Sequence, residues 1–131
     1  MIDRAALMRS VAAAYTASWN SGDPQKVASH FARDGLIVIN RGEPWLNRDG
    51  VVAMVAGFYA DISDLKLVCD GVRLTGDHGL FLWTFTGTHA DSGNSVSVSG
   101  WEEWDFEESG LISASYGWFD AEGYASQTTS V

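Results

Sequence analysis

Residues 80–106 read LFLWTFTGTHADSGNSVSVSGWEEWDF, and their alternation decides the fold. In the first half Phe81, Trp83 and Phe85 share one side of an extended chain, with Thr84, Thr86 and Thr88 on the other. In the second half Val96, Val98, Glu102, Trp104 and Phe106 alternate with Ser97, Ser99, Trp101, Glu103 and Asp105. A period of two carried by β-branched and aromatic residues predicts half-buried strands. Between the halves, residues 90–94 supply Asp, Ser, Gly and Asn, the residues of turns. The reading is a long antiparallel hairpin, each arm roughly 30 Å at about 3.3 Å per residue. A ribbon of that length with an aromatic face needs a cover, and the N-terminal part of the chain supplies it.

Asp3 is placed to cap a first helix, in which Met8, Val11, Ala12, Tyr15 and Trp19 make one apolar stripe. Gly22 stops it, and Asp23-Pro24 starts a second helix with Val27, Ala28 and Phe31 on its inner face. Asp34-Gly35 ends that helix, and 36–40 reads as a short buried strand. A loop with Gly42, Pro44 and Trp45 leads to a third helix, capped by Asn47, with Val51, Val55 and Phe58 or Tyr59 facing inward. Strands follow at 65–75 and 111–120 on either side of the hairpin, and the polar tail 121–131 is expected to fray. Long antiparallel strands covered on one face by three N-terminal helices predict an α+β domain spanning 1–131. A strongly curved sheet closed by those helices would leave a cone-shaped cavity, made apolar by six Trp, six Phe and four Tyr.

At 131 residues and 46% hydrophobic, the chain can bury a core. Lys plus Arg number 8 against 17 Asp plus Glu, a net −9 that argues against nucleic acid and anionic membranes as partners. No apolar run approaches the ~18 residues of a membrane helix, and MIDRAALMRS lacks a signal-peptide core. The single Cys69 fits a reducing cytoplasm and reads as a small buried hydrophobe. His30, His78 and His89 lack metal-ligand spacing, so no metal is expected. His30 is assigned to the solvent side of the second helix, His78 to an exposed turn, and Asp70 to solvent.

The element order and three strings resemble the nuclear transport factor 2-like superfamily, in particular its SnoaL-like branch of polyketide cyclases and relatives of ketosteroid isomerase. The strings are YTASWNSGDPQKVASHFARDG at 15–35, WTFTGTH at 83–89 and SGLISASYGWFDAEGYASQ at 109–127. The resemblance covers nearly the whole chain. It implies a cystatin-like α+β barrel, a homodimer, a deep apolar pocket and chemistry without a cofactor. Ketosteroid isomerase carries a Tyr five residues before an Asn-x-Gly-Asp, and Tyr15 precedes Asn20-Ser21-Gly22-Asp23 at that spacing. Its protonated acid, a carboxyl kept neutral so that it can donate a hydrogen bond, aligns with Glu102. The family's general-base positions fall on Ile39 or Asn40 and on Gly117, none of which carries a carboxylate.

Each candidate has two readings. Tyr15 either donates to a ligand oxygen or is a core Tyr with a satisfied hydroxyl. Glu102 either points inward, desolvated and able to act as acid or base, or is turned to water by a bulge at Gly100 that brings Trp101 inside. His89 is either an acid–base group or a surface loop residue. The catalytic set is therefore Tyr15, Glu102 and His89. Around it Trp19, Phe31, Trp45, Phe58, Phe81, Trp83, Phe85, Val98 and Phe119 are expected to line a site for a small apolar, cyclic ligand. The resemblance implies isomerase, cyclase or hydratase chemistry, or binding without catalysis. Trp101, Ile112, Tyr116 and Trp118 fall on the opposite face, where a second copy of the chain would cover them.

Overall fold

The computed structural model describes residues 3–129. Helix α1 (Arg4–Asn20) is capped by Asp3, whose carboxylate accepts from the Ala6 N–H at 3.1 Å. Its buried stripe is Met8, Ala12, Tyr15 and Trp19, at the expected spacing. The helix ends on Asn20, whose amide accepts from Leu67 N–H (2.7 Å) and donates to Leu67 O (2.8 Å). That two-way bond imitates a strand partner and pins α1 to strand β3 (Lys66–Thr75). Asp23 caps α2 (Pro24–Ala28) through Gln25 N–H at 2.9 Å.

Here the structure corrects the sequence reading. Helix α2 stops at Ala28, and Phe31 opens strand β1 (Phe31–Ile39). Asp34-Gly35 does not end a helix but sits in an irregular stretch of β1, between the pairs Phe31↔Ile112 and Leu36↔Ala114. A five-residue helix is too short to show periodicity, and turn residues inside a strand mimic its end. Trp45–Leu46 forms a short strand β2 against β1 where a loop was expected. Leu46 occupies the cap position of α3 (Asn47–Asp61) without a side-chain bond. Asn47, the first residue of α3, has a left-handed φ of +64° and makes no capping bond.

The sheet runs β2-β1-β6-β5-β4-β3, with β4 (His78–Thr88), β5 (Ser95–Phe106) and β6 (Ile112–Phe119). Strands β1 and β6 pair parallel and all other neighbours antiparallel. The β4–β5 ladder is unbroken from Thr88↔Ser95 to His78↔Asp105, so no bulge forms at Gly100. Bulges fall instead near Asp70 in β3 and near Ser113 in β6. The second one turns Ile112 into the core, where parity had placed it outside with Tyr116 and Trp118. Tyr15, Phe31, Phe81 and Trp104 are the largest side chains of that core.

The tail also departs from expectation, since Ala121–Gln127 forms helix α4. Asp120 caps it through Gly123 N–H at 2.9 Å. Tyr124 packs edge-on to Phe85 and Phe119, and Gln127 bonds Asn94 and Ser97. Residues 130–131 of the tail lie outside the described residues. His30 is half-buried, edge-on to Tyr15 and 2.9 Å from Ser18 Oγ, and Cys69 is half-buried rather than buried. Asp70 and His78 are exposed as expected. Among the described residues, no helix is long and apolar enough to cross a membrane.

Candidate functional site

The continuous ladder fixes the parity of β5, and with it the site. Glu102 points inward at 6% exposure, while Trp101 is 38% exposed on the other face. In register Glu102 faces Phe81 on β4 and Gly117 on β6. A Cβ on Gly117 would lie 3.6 Å from Glu102 Cγ, an ordinary contact distance, so the two positions are direct neighbours across the ladder.

Three buried donors converge on this carboxyl. Tyr15 reaches it from α1, its hydroxyl 3.0 Å from both Oε1 and Oε2. Trp104 Nε1–H donates to Oε1 at 3.0 Å, and Ser115 Oγ–H donates to Oε1 at 2.7 Å. Trp104 lies two residues along the same strand face, and Ser115 is its partner across the β5–β6 ladder. Parity thus gathers all the sheet-borne groups on one side. Oε1 serves three donors, and Oε2 has Tyr15 alone. Among the described residues no ion pair involves Glu102. Burial pushes its pKa above the ordinary carboxyl value, and the bonds from Trp104, Ser115 and Tyr15 pull part of the way back. Burial and the adjacent Glu102 hold the Tyr15 phenol well above its usual value, so it stays a donor.

Glu102 borders a cavity of about 50 Å³. Of the residues expected there, Trp19, Phe58, Trp83, Phe85 and Phe119 line it with Glu102. Tyr15 does not: fully enclosed, it stands behind the carboxyl. Phe31, Phe81 and Val98 are buried in the core away from the cavity, and Trp45 lies 41% exposed on β2. His89 sits at the far end of the hairpin, its Nδ1 2.8 Å from Ser92 Oγ, and does not reach the cavity. Of the base positions, Ile39 and Gly117 line the cavity without a proton acceptor. Asn40 uses its Oδ1 to accept from Phe119 N–H at 2.9 Å.

Sequence reasoning missed Ile37, Ile39, Met54, Leu65 and Leu67 in the lining, and Ser115 and Trp104 as partners of Glu102. The signal was present for each. Leu65 and Leu67 alternate, as do Ile37 and Ile39, and Met54 stands one helical turn before Phe58. Trp118 borders the cavity too, but its ring turns outward, 6.5 Å from Trp101 and beneath Arg41.

A family model for a SnoaL-like domain matches residues 11–115. A comparison with curated proteins finds no match. Among solved structures the chain is similar to a hypothetical protein with a ketosteroid isomerase-like fold from Catenulispora acidiphila DSM 44928, in complex with trimethylamine. That likeness has 17% identity, covers 92% of this chain and 93% of the other, and gives a TM-score of 0.83. TsrD from Streptomyces laurentii matches over 100% of both chains at 22% identity and TM-score 0.84. TerC, co-crystallised with polyporic acid, matches over 93% of this chain and 98% of its own at 15% identity and TM-score 0.80. At these identities the likeness shows the fold: an α+β architecture with a six-stranded, mostly antiparallel sheet and four helices.

Proposed function

The chain belongs to the SnoaL-like domain family, and on that premise we propose that it is a cofactor-free acid–base enzyme of the isomerase, cyclase or hydratase type. Its substrate is a small apolar cyclic molecule carrying a carbonyl. The observation that carries this reading is the Glu102 carboxyl, enclosed at the edge of an otherwise apolar cavity with Oε2 held by one bond. Neutral, it donates to a carbonyl oxygen; ionised, it takes a proton from the neighbouring carbon. In an isomerisation or cyclisation the proton passes between substrate and Oε2 and nothing else is consumed; a hydration adds one water to the substrate. Tyr15 is a positioning residue, since its hydroxyl is committed to both carboxyl oxygens. The acid pair therefore works in series, Tyr15 on Glu102 and Glu102 on the substrate. A volume of about 50 Å³ is well below the ~300–1,000 Å³ of drug-sized sites and favours a compact ring. Trimethylamine and polyporic acid bound to the structural neighbours support a pocket for small molecules.

The test is exchange of the α-protons of cyclohexanone in D2O, followed by NMR. Glu102→Gln is expected to slow the protein-dependent exchange by about 10²-fold or more, the usual contribution of a positioned acid–base group. A second reading, binding without catalysis, is favoured by the absence of a base at Ile39, Asn40 and Gly117. It takes over if cyclohexanone binds and neither protein exceeds the buffer rate.

The proposal includes a second copy of the chain. Trp101, Tyr116 and Trp118 share the outer face of the sheet, and a C2 pairing would remove them from water. Sedimentation is expected to give twice the 14.2 kDa chain mass, and Trp101→Lys to shift the protein toward monomer. An interface of the usual ~800 Å² per partner should survive micromolar dilution, so a wild-type monomer there would refute the pairing. A cytoplasmic location is likewise proposed, on the lone Cys69.

A further inference from the structure

Two side-chain nitrogens among the described residues are enclosed without a hydrogen-bond partner, Trp19 Nε1 and Trp83 Nε1. Both residues line the cavity that Glu102 borders, with the two nitrogens covered just beneath its surface. This is not a general habit of tryptophan here: Trp104 Nε1–H finds Glu102, and Trp101 Nε1–H reaches Glu103 at 3.4 Å. Trp19 is 8% exposed. Its indole faces Tyr15, with ring centroids 6.5 Å apart, and favours the phenolate form, but it falls short of hydrogen-bond geometry. An enclosed donor without an acceptor is costly, so donors of this kind are kept where something else completes them.

We infer that the Trp19 and Trp83 indole N–H groups form a second recognition point for the ligand, taking an acceptor oxygen other than the one that meets Glu102. This rests on the proposed ligand site and narrows its class to cyclic compounds with two acceptor oxygens, of the dicarbonyl kind. Both indoles come from elements held in place. The end of α1 is tied to β3 by Asn20 and to α3 by Tyr59, whose hydroxyl donates to Trp19 O at 2.6 Å. Trp83 stacks on Phe85, centroids 5.7 Å apart. An indole N–H does not titrate in water, so its contribution is the same at every working pH. The contribution of Glu102 changes with pH, and this separates the two recognition points.

The test compares cyclohexane-1,4-dione, cyclohexanone and methylcyclohexane on the intact protein, with tryptophan indole protons followed by NMR. The dione is expected to move the Trp19 and Trp83 indole protons downfield while the exposed Trp45 and Trp101 signals stay still. It should bind about 2- to 10-fold tighter than cyclohexanone, the value of one hydrogen bond. That advantage should be independent of pH and should vanish in Trp83→Phe, which keeps a ring but loses the donor. The shifts are read on the unmutated protein, so a variant that fails to fold does not decide the outcome. If the dione and the ketone both perturb Ile37 and Met54 but leave the two indole protons unmoved, the second recognition point is refuted while the ligand site stands. If no probe perturbs any cavity signal, the ligand site fails and the inference fails with it.

Discussion

Glu102→Ala is expected to lower folding stability by about 3 kcal/mol or more, as well as to abolish the proposed proton exchange. The substitution strands three enclosed donors at once: Tyr15 O–H, Trp104 Nε1–H and Ser115 O–H. Each unpaired buried donor costs about 1–3 kcal/mol, and the relief of no longer burying a carboxyl offsets part of the sum. Glu102→Gln keeps an oxygen for Trp104 and Ser115 and should cost only about 1 kcal/mol. The pH dependence adds a second, independent signature. Burial raises the folded-state pKa of Glu102 above its ordinary 4.5. The folded protein therefore binds this proton more tightly than the unfolded chain does. Its stabilising effect is fully present below 4.5 and is lost as pH rises through the raised value. Urea unfolding of wild type and Glu102→Gln from about pH 4 to pH 8 isolates it, because every other group titrates in both. The wild-type advantage should shrink as pH rises. Parallel curves would mean that the carboxyl is not raised at all.

The residues that carry this prediction were unequally visible in the sequence. The inward side of β5 was legible because alternation continues through residues 95–106. What sequence could not decide was Gly100, since a strand glycine marks either a bulge or a close approach, and the two put Glu102 on opposite faces. The bulges that do form, near Asp70 and Ser113, fall at residues with no special φ, and the second reversed the reading of Ile112. Tyr15 and Glu102 are 87 positions apart, and only the family spacing suggested their pairing. That the phenol stands behind the carboxyl, and not beside it in the cavity, depends on how α1 is set against the sheet. The two unpartnered indoles were equally invisible, because an indole edge is aimed by its rotamer and not by strand parity. Helix α4 was missed because AEGYASQ lacks a stripe, and it is held by the Asp120 cap, the Tyr124 ring and the bonds of Gln127 to Asn94 and Ser97.

Gly100→Ala is expected to destabilise the protein by about 3 kcal/mol or more, at the upper end of ordinary overpacking. Gly100 stands between Trp83 on β4 and Phe119 on β6. A Cβ there would overlap the Trp118 carbonyl oxygen and would lie 2.7 Å and 2.9 Å from Trp83 Cζ2 and Cη2. The ring can tilt at modest cost, but the carbonyl is main chain held in the β5–β6 ladder, so β6 must move away. Gly117 and Ser115 move with it, and the bond from Ser115 to Glu102 loosens. Trp83 would turn with its N–H edge, so the variant that still folds should also lose the preference for a second acceptor oxygen. Gly57→Ala gives the contrast within the same protein: Gly57 is exposed in α3, and a Cβ there meets nothing within 4 Å. That change should stabilise by about 0.5–1 kcal/mol through lower backbone entropy of the unfolded chain. Thermal unfolding of both variants should therefore move in opposite directions. If Gly100→Ala melts with wild type, the close approach is not rigid, and Gly100 is not what aims the Trp83 indole.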